Sequence, residues 1–265
     1  MKKTPQPQKH TQYPIVLVHG IILKDIVFFK AFGRIEKTLK RQGYKVYTAK
    51  TDGFGSIENN AEQLKSHILK ILELEHTDKV NLIAHSKGGL DSKYMINQLN
   101  FAKHVASLTT LCTPHKGSPI ATKLLRLPKF LIKITAFWVN LIYKIFGDKH
   151  PDALKACKQL QLSEQDCNAY APTDVYCQSY STTLEKCRDD FIMSIPLIFS
   201  RRAENHPTDG LVSVESSKFG EYKGNCVDAS LSHSQIVGFA ITKKKKARIC
   251  EFYSQLCEDL NNHGF

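Results

Sequence analysis

The chain has 265 residues, of which 42% are hydrophobic and 23% are charged, and these proportions exclude a disordered or collagen-like protein. Lysines and arginines outnumber aspartates and glutamates by 37 to 25, so the net charge is +12. That surplus favours anionic partners such as nucleic acid or acidic lipid surfaces, without choosing between them.

Short apolar runs alternate with longer helix-like stretches in the first part of the chain. The predicted strands are residues 13–19, 44–49, 79–84 and 104–112, and the predicted helices are residues 26–41, 58–74 and 88–99. This alternation predicts an α/β fold with a mostly parallel sheet covered by helices on both faces.

The alternation stops at residue 118, and no clear strand follows until about residue 171. We interpret residues 118–171 as a helical cap or lid inserted between two strands of the sheet. Residues 174–180 and 193–200 are then predicted as strands, and residues 242–260 as the final helix. The expected organisation is a polar tail at 1–12 and one domain at 13–265.

The ends and the cysteines bear on the compartment. Residues 2–12 are polar, and the apolar run at 15–18 is far shorter than the core of a signal peptide, so we expect no secretory signal here. No run approaches the ~20 apolar residues of a membrane span. The eight cysteines include no C-x-x-C pair, which argues against a zinc ribbon or thioredoxin-like site. We expect reduced thiols, although an even count permits disulfides.

The sequence directly after the third predicted strand is Ala84-His85-Ser86-Lys87-Gly88. It fits the G-x-S-x-G nucleophile elbow, in which a sharp strand-to-helix turn exposes a serine above the sheet. Ala84 replaces the first glycine, which is the smallest possible departure. A serine- and glycine-rich turn at a helix N-terminus is the alternative, but the strand–turn–helix setting favours Ser86 as a nucleophile.

A serine hydrolase also needs an oxyanion hole, an acid and a base. In the elbow architecture one backbone donor follows the nucleophile, here Lys87, and the other lies after an early strand, where Ile21 follows Gly20. The chain order serine, acid, histidine selects Asp209 in a turn and His233, because the other later histidine, His263, is in the tail. The reserve candidates for the acid are Asp189, Asp190 and Asp228.

With these residues in view, the chain resembles the bacterial α/β-hydrolase triacylglycerol lipases, especially their clostridial-type members. The matching segments are YPIVLVHGI (13–21), NLIAHSKGGLDSKYM (81–95), LTTLCTPHKGSPIA (108–121), TDGLVSVESSKFGEYKG (208–224) and LSHSQIVG (231–238). The resemblance implies ester hydrolysis with no cofactor, with Ser86, Asp209 and His233 as the triad. It also implies that His115 is structural.

The departures from the family concern metals and compartment. Pseudomonad relatives bind calcium through an aspartate two residues after the catalytic histidine, where this chain has Gln235. Because calcium needs several oxygen ligands that usually include carboxylates, we expect no calcium or other metal site. Most of the family is secreted, so the compartment stays open.

The expected partner is a lipid or other ester. Two alternatives stay open, namely a phospholipase or acyltransferase on the same fold, and a catalytically inactive lipid-binding domain. Nucleic-acid binding has no supporting motif.

Residues 129–146 predict a helix whose strongly polar members Lys129, Lys133, Asn140 and Lys144 share a stripe only about 60° wide at ~100° per residue. The rest of its surface is apolar. We therefore expect a lid, with one apolar side over the Ser86 pocket and another toward lipid, the lysines facing anionic headgroups. A helix buried in the cap or at a dimer contact is the alternative.

Overall fold

Six strands form one parallel sheet in the part of the computed structural model that is described, namely residues 10–21, 31–161, 175–203, 206–240 and 242–265. The strands are β1 (Ile15–Val18), β2 (Val46–Thr48), β3 (Val80–His85), β4 (Val105–Leu111), β5 (Tyr176–Ser181) and β6 (Glu221–Asn225). Their order is β2-β1-β3-β4-β5-β6, and every neighbouring pair is parallel. The order reverses between β1 and β3, and ligands of open α/β sheets bind at such a switch point, outside the carboxyl ends of the strands.

Helices cover both faces of this sheet. The helices are α1 (Gly33–Arg41), α2 (Ile57–Glu75), α3 (Lys87–Gln98), α4 (Pro119–Leu124), α5 (Lys129–Ile145), α6 (Ala153–Gln159), α7 (Ser194–Ala203), α8 (Val214–Ser217) and α9 (Lys243–Asn262). Alternate residues of β1 point to opposite faces, as the pleat requires. Ile15 and Leu17 pack in one core cluster with α1 and α9, whereas Val16 and Val18 pack in the other with α2 and α3. The predicted fold class is confirmed.

In the second half of the chain one predicted strand is wrong and one observed strand was not predicted. Residues 193–200, predicted as a strand, lie mostly in α7, because a short apolar run has no periodicity that separates strand from helix. Pro196 fits there because it is in the first turn, where its missing N–H has no intrahelical acceptor. Strand β6 was not predicted at all, since its sequence EYKGN has almost no apolar residue.

Several predictions lie partly outside the described residues. These are the tail at 1–9, residues 26–30 of the first predicted helix, residues 162–171 of the insertion and residue 174 of the next strand. Within the described part, residues 118–161 hold the helices α4 to α6 and no strand of the sheet, and Pro151 forms an isolated antiparallel bridge with Gly55. The helix predicted at 129–146 is α5.

Helix α5 carries most of its apolar side chains on the protein surface. Tyr143 is its only residue that the described chain buries, and its ring contacts Phe54 with centroids 4.7 Å apart. Asn140 also faces inward, because its Oδ1 accepts a hydrogen bond from Ala153 N at 2.7 Å. Among the described helices none has the length and apolar character to cross a membrane.

Candidate active site

Ser86 occupies the turn between β3 and α3 in a strained backbone conformation. Its φ is 55° and its ψ is −132°, and a non-glycine residue in such a region costs of order 1–3 kcal/mol. The surrounding backbone is close enough to require glycines. A Cβ added to Gly88 would lie 2.5 Å from His19 O, and one added to Gly20 would lie 2.7 Å from Ser86 Cβ. The glycines therefore permit the sharp turn that the sequence predicts.

His233 lies between Ser86 and Asp209. Its Nε2 is 2.8 Å from Ser86 Oγ, and its Nδ1 is 2.7 Å from Asp209 Oδ2. The Oδ1 atom of Asp209 accepts hydrogen bonds from the N–H groups of Leu211 and Val212 at 2.9 and 2.8 Å. Because an ionised carboxylate only accepts, Nδ1 of His233 carries the proton and Nε2 accepts from the serine hydroxyl. The structure thus brings the three predicted side chains into one hydrogen-bonded line.

The turn that carries Asp209 is fixed by its own hydrogen bonds. Gly210 has a φ of 107°, in the left-handed region that favours glycine, and its N–H donates to Thr208 Oγ1 at 3.1 Å. Ser200 Oγ, on α7, donates to Gly210 O at 2.8 Å. The backbone N–H of His233 donates directly to Asp209 O at 3.0 Å. Helix α7, rather than the expected strand, therefore leads to the acid and supports it.

His85 contacts His233, although the sequence did not predict this contact. Its Nε2 donates to the backbone oxygen of His233 at 3.0 Å, and the two rings lie 4.5 Å apart. Burial lowers the pKa of His85 well below its usual range, and the neighbouring His233 lowers it further. A neutral ring with the proton on Nε2 satisfies this contact. The place of His85 directly before the elbow serine was the available signal.

The two predicted oxyanion donors lie at the switch point of the sheet. The Lys87 amide is the first of α3, so it has no intrahelical acceptor. A Cβ on Gly20 would lie 3.0 Å from Lys87 N, which places the chain before Ile21 beside that amide. His19 Nδ1 lies 2.9 Å from Gly20 O. Because C=O and N–H of a trans peptide point in opposite directions, this contact turns the Ile21 N–H away from His19.

The side chain of Lys87 forms a buried ion pair below the same turn. Its Nζ is 2.6 Å from Asp91 Oδ1, and both side chains are almost fully buried. Asn60 Nδ2 donates to Asp91 Oδ2 at 3.1 Å and to Asp52 O at 2.9 Å. Burial raises the pKa of Asp91 to about 6, although Lys87 acts in the opposite direction. This pair anchors the first turn of α3 and hence the Lys87 amide.

The other candidate acids and histidines do not enter the line. Asp189 Oδ2 accepts from Ser230 Oγ at 2.6 Å, and Asp190 Oδ2 accepts from Ser232 Oγ at 2.5 Å. Both carboxylates therefore hold the loop of His233 and leave its ring to Asp209. The backbone oxygen of Asp228 accepts a hydrogen bond from Arg248 Nη1 at 3.3 Å. His115 is buried against Phe219, with ring centroids 4.5 Å apart, as its structural interpretation expects.

One group of side chains could hold a metal by proximity alone. The ligand atoms of Cys112, Asp209 and His233 lie within 4.8 Å of one another. A metal there would displace the bond between His233 and Asp209. The thiol also opposes binding, because the hydrogen bond that it donates to the neighbouring Cys226, its burial and the charge of Asp209 raise the pKa of Cys112. The thiolate, which these effects disfavour, is the form that binds metals.

The place of the relatives' calcium ligand has a different chemistry in this chain. Gln235 Nε2 donates to Asp189 O at 2.9 Å, and Gln235 Oε1 accepts from Lys245 Nζ at 3.1 Å. Lys245 Nζ also lies 3.4 Å from Asp189 O. An ammonium group thus occupies the position between these oxygens, and its charge would repel calcium. The residues present do not fit that ion.

Comparison with known proteins finds lipases and esterases. A family model described as palmitoyl protein thioesterase matches residues 14–168. Triacylglycerol lipase 2 of Saccharomyces cerevisiae is 30% identical over 261 residues, which cover 87% of this chain and 73% of the yeast protein. A triacylglycerol lipase of Vibrio cholerae is 31% identical over 260 residues, which cover 84% of this chain and 81% of the relative.

Solved structures agree on the fold. A metagenomic carboxyl esterase superposes with a TM-score of 0.74 at 16% identity, covering 97% of this chain and 80% of that one. The Staphylococcus hyicus lipase superposes with a TM-score of 0.70 at 15% identity, covering 98% of each chain. At such low identity these structures support the architecture alone.

Proposed function

Because the chain belongs to the α/β-hydrolase lipase family, we propose that Ser86, His233 and Asp209 hydrolyse carboxylic esters through an acyl-enzyme. The observation that carries the proposal is the line from Ser86 Oγ to His233 Nε2 at 2.8 Å and from Nδ1 to Asp209 Oδ2 at 2.7 Å. It also argues against an inactive lipid-binding domain, which needs no such line.

The reaction follows from this geometry. Ser86 Oγ attacks the ester carbonyl carbon while His233 Nε2 takes the hydroxyl proton, and Asp209 stabilises the imidazolium that forms. The amides of Lys87 and Ile21 hold the negative oxygen of the tetrahedral intermediate. His233 returns the proton to the leaving alcohol, and a water molecule then repeats the sequence to release the acid.

A triacylglycerol is the substrate class that we infer for this chain, because the two relatives reported above are named triacylglycerol lipases. Surface exposure on α5 fits a substrate at a lipid surface. Phe130, Phe137, Trp138 and Ile145 are all exposed, and patches of this kind mark interaction sites. The same acyl-enzyme chemistry would serve a phospholipid or a thioester, so the substrate class needs a direct test.

The test compares a triglyceride, a phospholipid, an acyl thioester and p-nitrophenyl butyrate with the same enzyme. We expect hydrolysis of the triglyceride and the p-nitrophenyl ester, and a loss of about 10⁶ in kcat in Ser86→Ala. The matched control is Ser66→Ala on the surface of α2, which should keep full activity. Near-normal rates in a folded Ser86→Ala protein would end the proposal.

We also propose that α5 is a lid that meets lipid, with its lysines facing anionic headgroups. Phe137→Ser/Trp138→Ser should weaken binding to anionic vesicles and remove the rise in activity above the critical micelle concentration of a long-chain ester. Leu69→Ser/Leu74→Ser is the control, because these side chains are also exposed but lie on α2. Equal vesicle binding by both variants would contradict the lid.

A further inference from the structure

A pocket of about 480 Å³ lies between α2 and the segments that follow β2 and α5. The residues of the triad do not line it. Its basic side chains come from all three segments and are Lys50, His67, Lys70, Lys149 and His150. We call these five residues the basic pocket. Of these residues, His67 and Lys70 lie on one side of α2 because they are three positions apart in the helix.

The charge in the basic pocket is unbalanced. Glu62 is the only carboxylate in its lining, and none of the three lysines forms a salt bridge within the described residues. Like charges held together in a concave site raise the local positive potential and attract counter-ions. With the histidines neutral, the three lysines and one glutamate leave a formal charge of about +2 for an anion to balance.

One ring nitrogen of His67 lacks a hydrogen-bond partner in the part of the chain that the structure describes. Its Nδ1 is buried and makes no hydrogen bond within the described residues. Burial lowers the pKa of His67, and the charges of Lys50 and Lys70 lower it further. A bound anion would oppose that effect of the lysines and favour the protonated ring. The His67 ring therefore responds to an anion by titration, whereas the lysines supply the charge that attracts it.

The wall of the pocket is fixed by the backbone. Asp52 Oδ1 accepts from Lys149 N at 2.9 Å, and its Oδ2 accepts from His150 N at 2.8 Å. Gln63 Nε2 donates to the same Oδ2 at 2.8 Å. These donors satisfy the Asp52 carboxylate behind the wall, so it faces the backbone rather than the pocket. Two of the five basic residues are thereby held in place before any ligand arrives.

The position of the pocket relates it to the active site. Lys50 comes two residues after β2, and Ser86 comes directly after β3. Both stand at the carboxyl edge of one parallel sheet, and β2 and β3 are separated only by β1. At a strand spacing of about 4.8 Å their ends are roughly 10 Å apart. An anion in the pocket would thus lie on the same edge of the sheet as a bound ester.

We propose that the basic pocket binds a phosphate group, either in the headgroup of an anionic lipid or in a water-soluble phosphate. Tetrahedral phosphate offers several acceptor oxygens, which suits donors that converge from three segments. Lysine ammonium groups bind phosphate as point charges and need no planar geometry. The site is separate from the ester-hydrolysing residues and would add to them a preference for phosphate-bearing surfaces or ligands.

The experiment follows phosphate binding by calorimetry and by the NMR signals of His67 and His150. Lys50→Gln/Lys70→Gln/Lys149→Gln removes the three lysines, and Lys103→Gln/Lys243→Gln/Lys244→Gln removes the same charge elsewhere. We expect inorganic phosphate to shift both histidine signals in the parent and the control, and the affinity to fall at least tenfold in the pocket variant. Equal affinities in the two variants would overturn the proposal.

A substitution of opposite sign guards against a loss caused by misfolding. Glu62→Gln removes the only carboxylate of the lining and should tighten phosphate binding. A Glu62→Gln protein that binds phosphate no better than the parent contradicts the electrostatic argument. Hydrolysis of p-nitrophenyl butyrate should be unchanged in all these variants, so a failure of the phosphate site is distinguishable from a failure of the proposed esterase.

Vesicles distinguish the two sources of phosphate. Phosphatidylcholine vesicles that contain phosphatidic acid are compared with vesicles of equal charge that contain oleate. A preference for phosphatidic acid that the pocket variant loses and the control keeps assigns the site to a lipid headgroup. Tight binding of glycerol phosphate without that preference assigns it to a water-soluble ligand. If neither probe binds, no phosphate site exists here.

Discussion

We call the edge of the sheet that holds Ser86, His233 and Asp209, the residues of the proposed reaction, the catalytic edge. Most of its polar side chains are buried, whereas most apolar side chains of the cap helix α5 are exposed to solvent. At the edge, charged and polar groups such as Asp209, His233 and Lys87 are buried and hydrogen-bonded. On α5 the reverse holds, and Phe137 and Trp138 are more than half exposed. The first arrangement fixes geometry at an energetic cost of desolvation, and the second leaves apolar area that lipid can cover. The proposed reaction and the proposed contact with lipid therefore belong to different parts of the chain.

The largest expected effect is the loss of hydrolysis when a side chain of the catalytic edge is replaced and the cap is left unchanged. His233→Ala and Asp209→Asn should each lower kcat for p-nitrophenyl butyrate by about 10⁴ or more, because the serine loses its base or the base its correct tautomer. Asp190→Asn is the matched control, since that carboxylate bonds Ser232 and Ser234. A loss in Asp190→Asn as large as in Asp209→Asn would move the acid to Asp190.

The second prediction concerns the buried pair of Lys87 and Asp91. Asp91→Ala leaves an ammonium group buried without its carboxylate and should lower the free energy of unfolding by about 3–5 kcal/mol. Lys87→Met/Asp91→Leu replaces both charges by apolar groups and should recover most of that loss. Urea unfolding measures both. A double variant as unstable as the single one would mean that packing, rather than the unpaired charge, limits stability.

A third prediction concerns the pH dependence of folding stability, to which the buried histidines His85 and His115 contribute. Burial lowers the pKa of His85 and of His115 well below the usual range. The unfolded chain therefore binds protons near pH 6.5 that the folded chain does not. Stability should be full above that pH and fall below it, by at most about 1.4 kcal/mol per pH unit for each histidine. The control is His76, at the exposed end of α2.

The measurement is the melting temperature at pH 7.5 and pH 5.5. His115→Phe should reduce the loss of melting temperature between these two values, because one proton-linked group has been removed. His76→Gln should leave the loss unchanged. An unchanged loss in His115→Phe would show that other groups control the acid sensitivity of the fold.

A smaller effect is expected at the loop of His233. Lys245→Met removes the ammonium group that bridges Gln235 and Asp189 and should lower stability by about 1 kcal/mol. Since this ammonium group lies between Gln235 Oε1 and Asp189 O, where its charge would repel calcium, EDTA should change neither the melting temperature nor the activity. Lys244→Met is the control on the same helix. A loss of activity in EDTA that calcium restores would contradict this account.

The sequence allowed the central strands and the elbow to be predicted because their residues are either apolar in a short run or small at a required turn. Ser86 follows β3 as expected, and a Cβ added to Gly88 would lie only 2.5 Å from the backbone oxygen of His19. Strand β6 escaped prediction because it is an edge strand with half-exposed polar residues. A pattern of apolar residues cannot indicate a strand that buries so little.

Contacts between segments that are distant in the sequence could not be predicted, for a different reason. His85 and His233 are 148 positions apart, and Asp190 and Ser232 are 42 positions apart. No local propensity connects such pairs, since only the finished sheet brings their loops together. The order serine, acid, histidine selected Asp209 without the knowledge that α7, rather than a strand, precedes it. The chain order of this architecture therefore predicted which side chains form the hydrogen-bonded line, but not which contacts support them.

The smallest expected effect returns to the cap. If the exposed apolar face of α5 has no partner in the free protein, Phe137→Ser/Trp138→Ser should change the free energy of unfolding by no more than about 0.5 kcal/mol. Leu64→Ala, on the buried side of α2, should cost about 2–5 kcal/mol because it leaves a cavity. Urea unfolding of the two proteins compares the regions directly. A loss above about 2 kcal/mol in the α5 variant would mean that this face is already packed, and α5 would then belong to the core rather than to the lipid-facing surface.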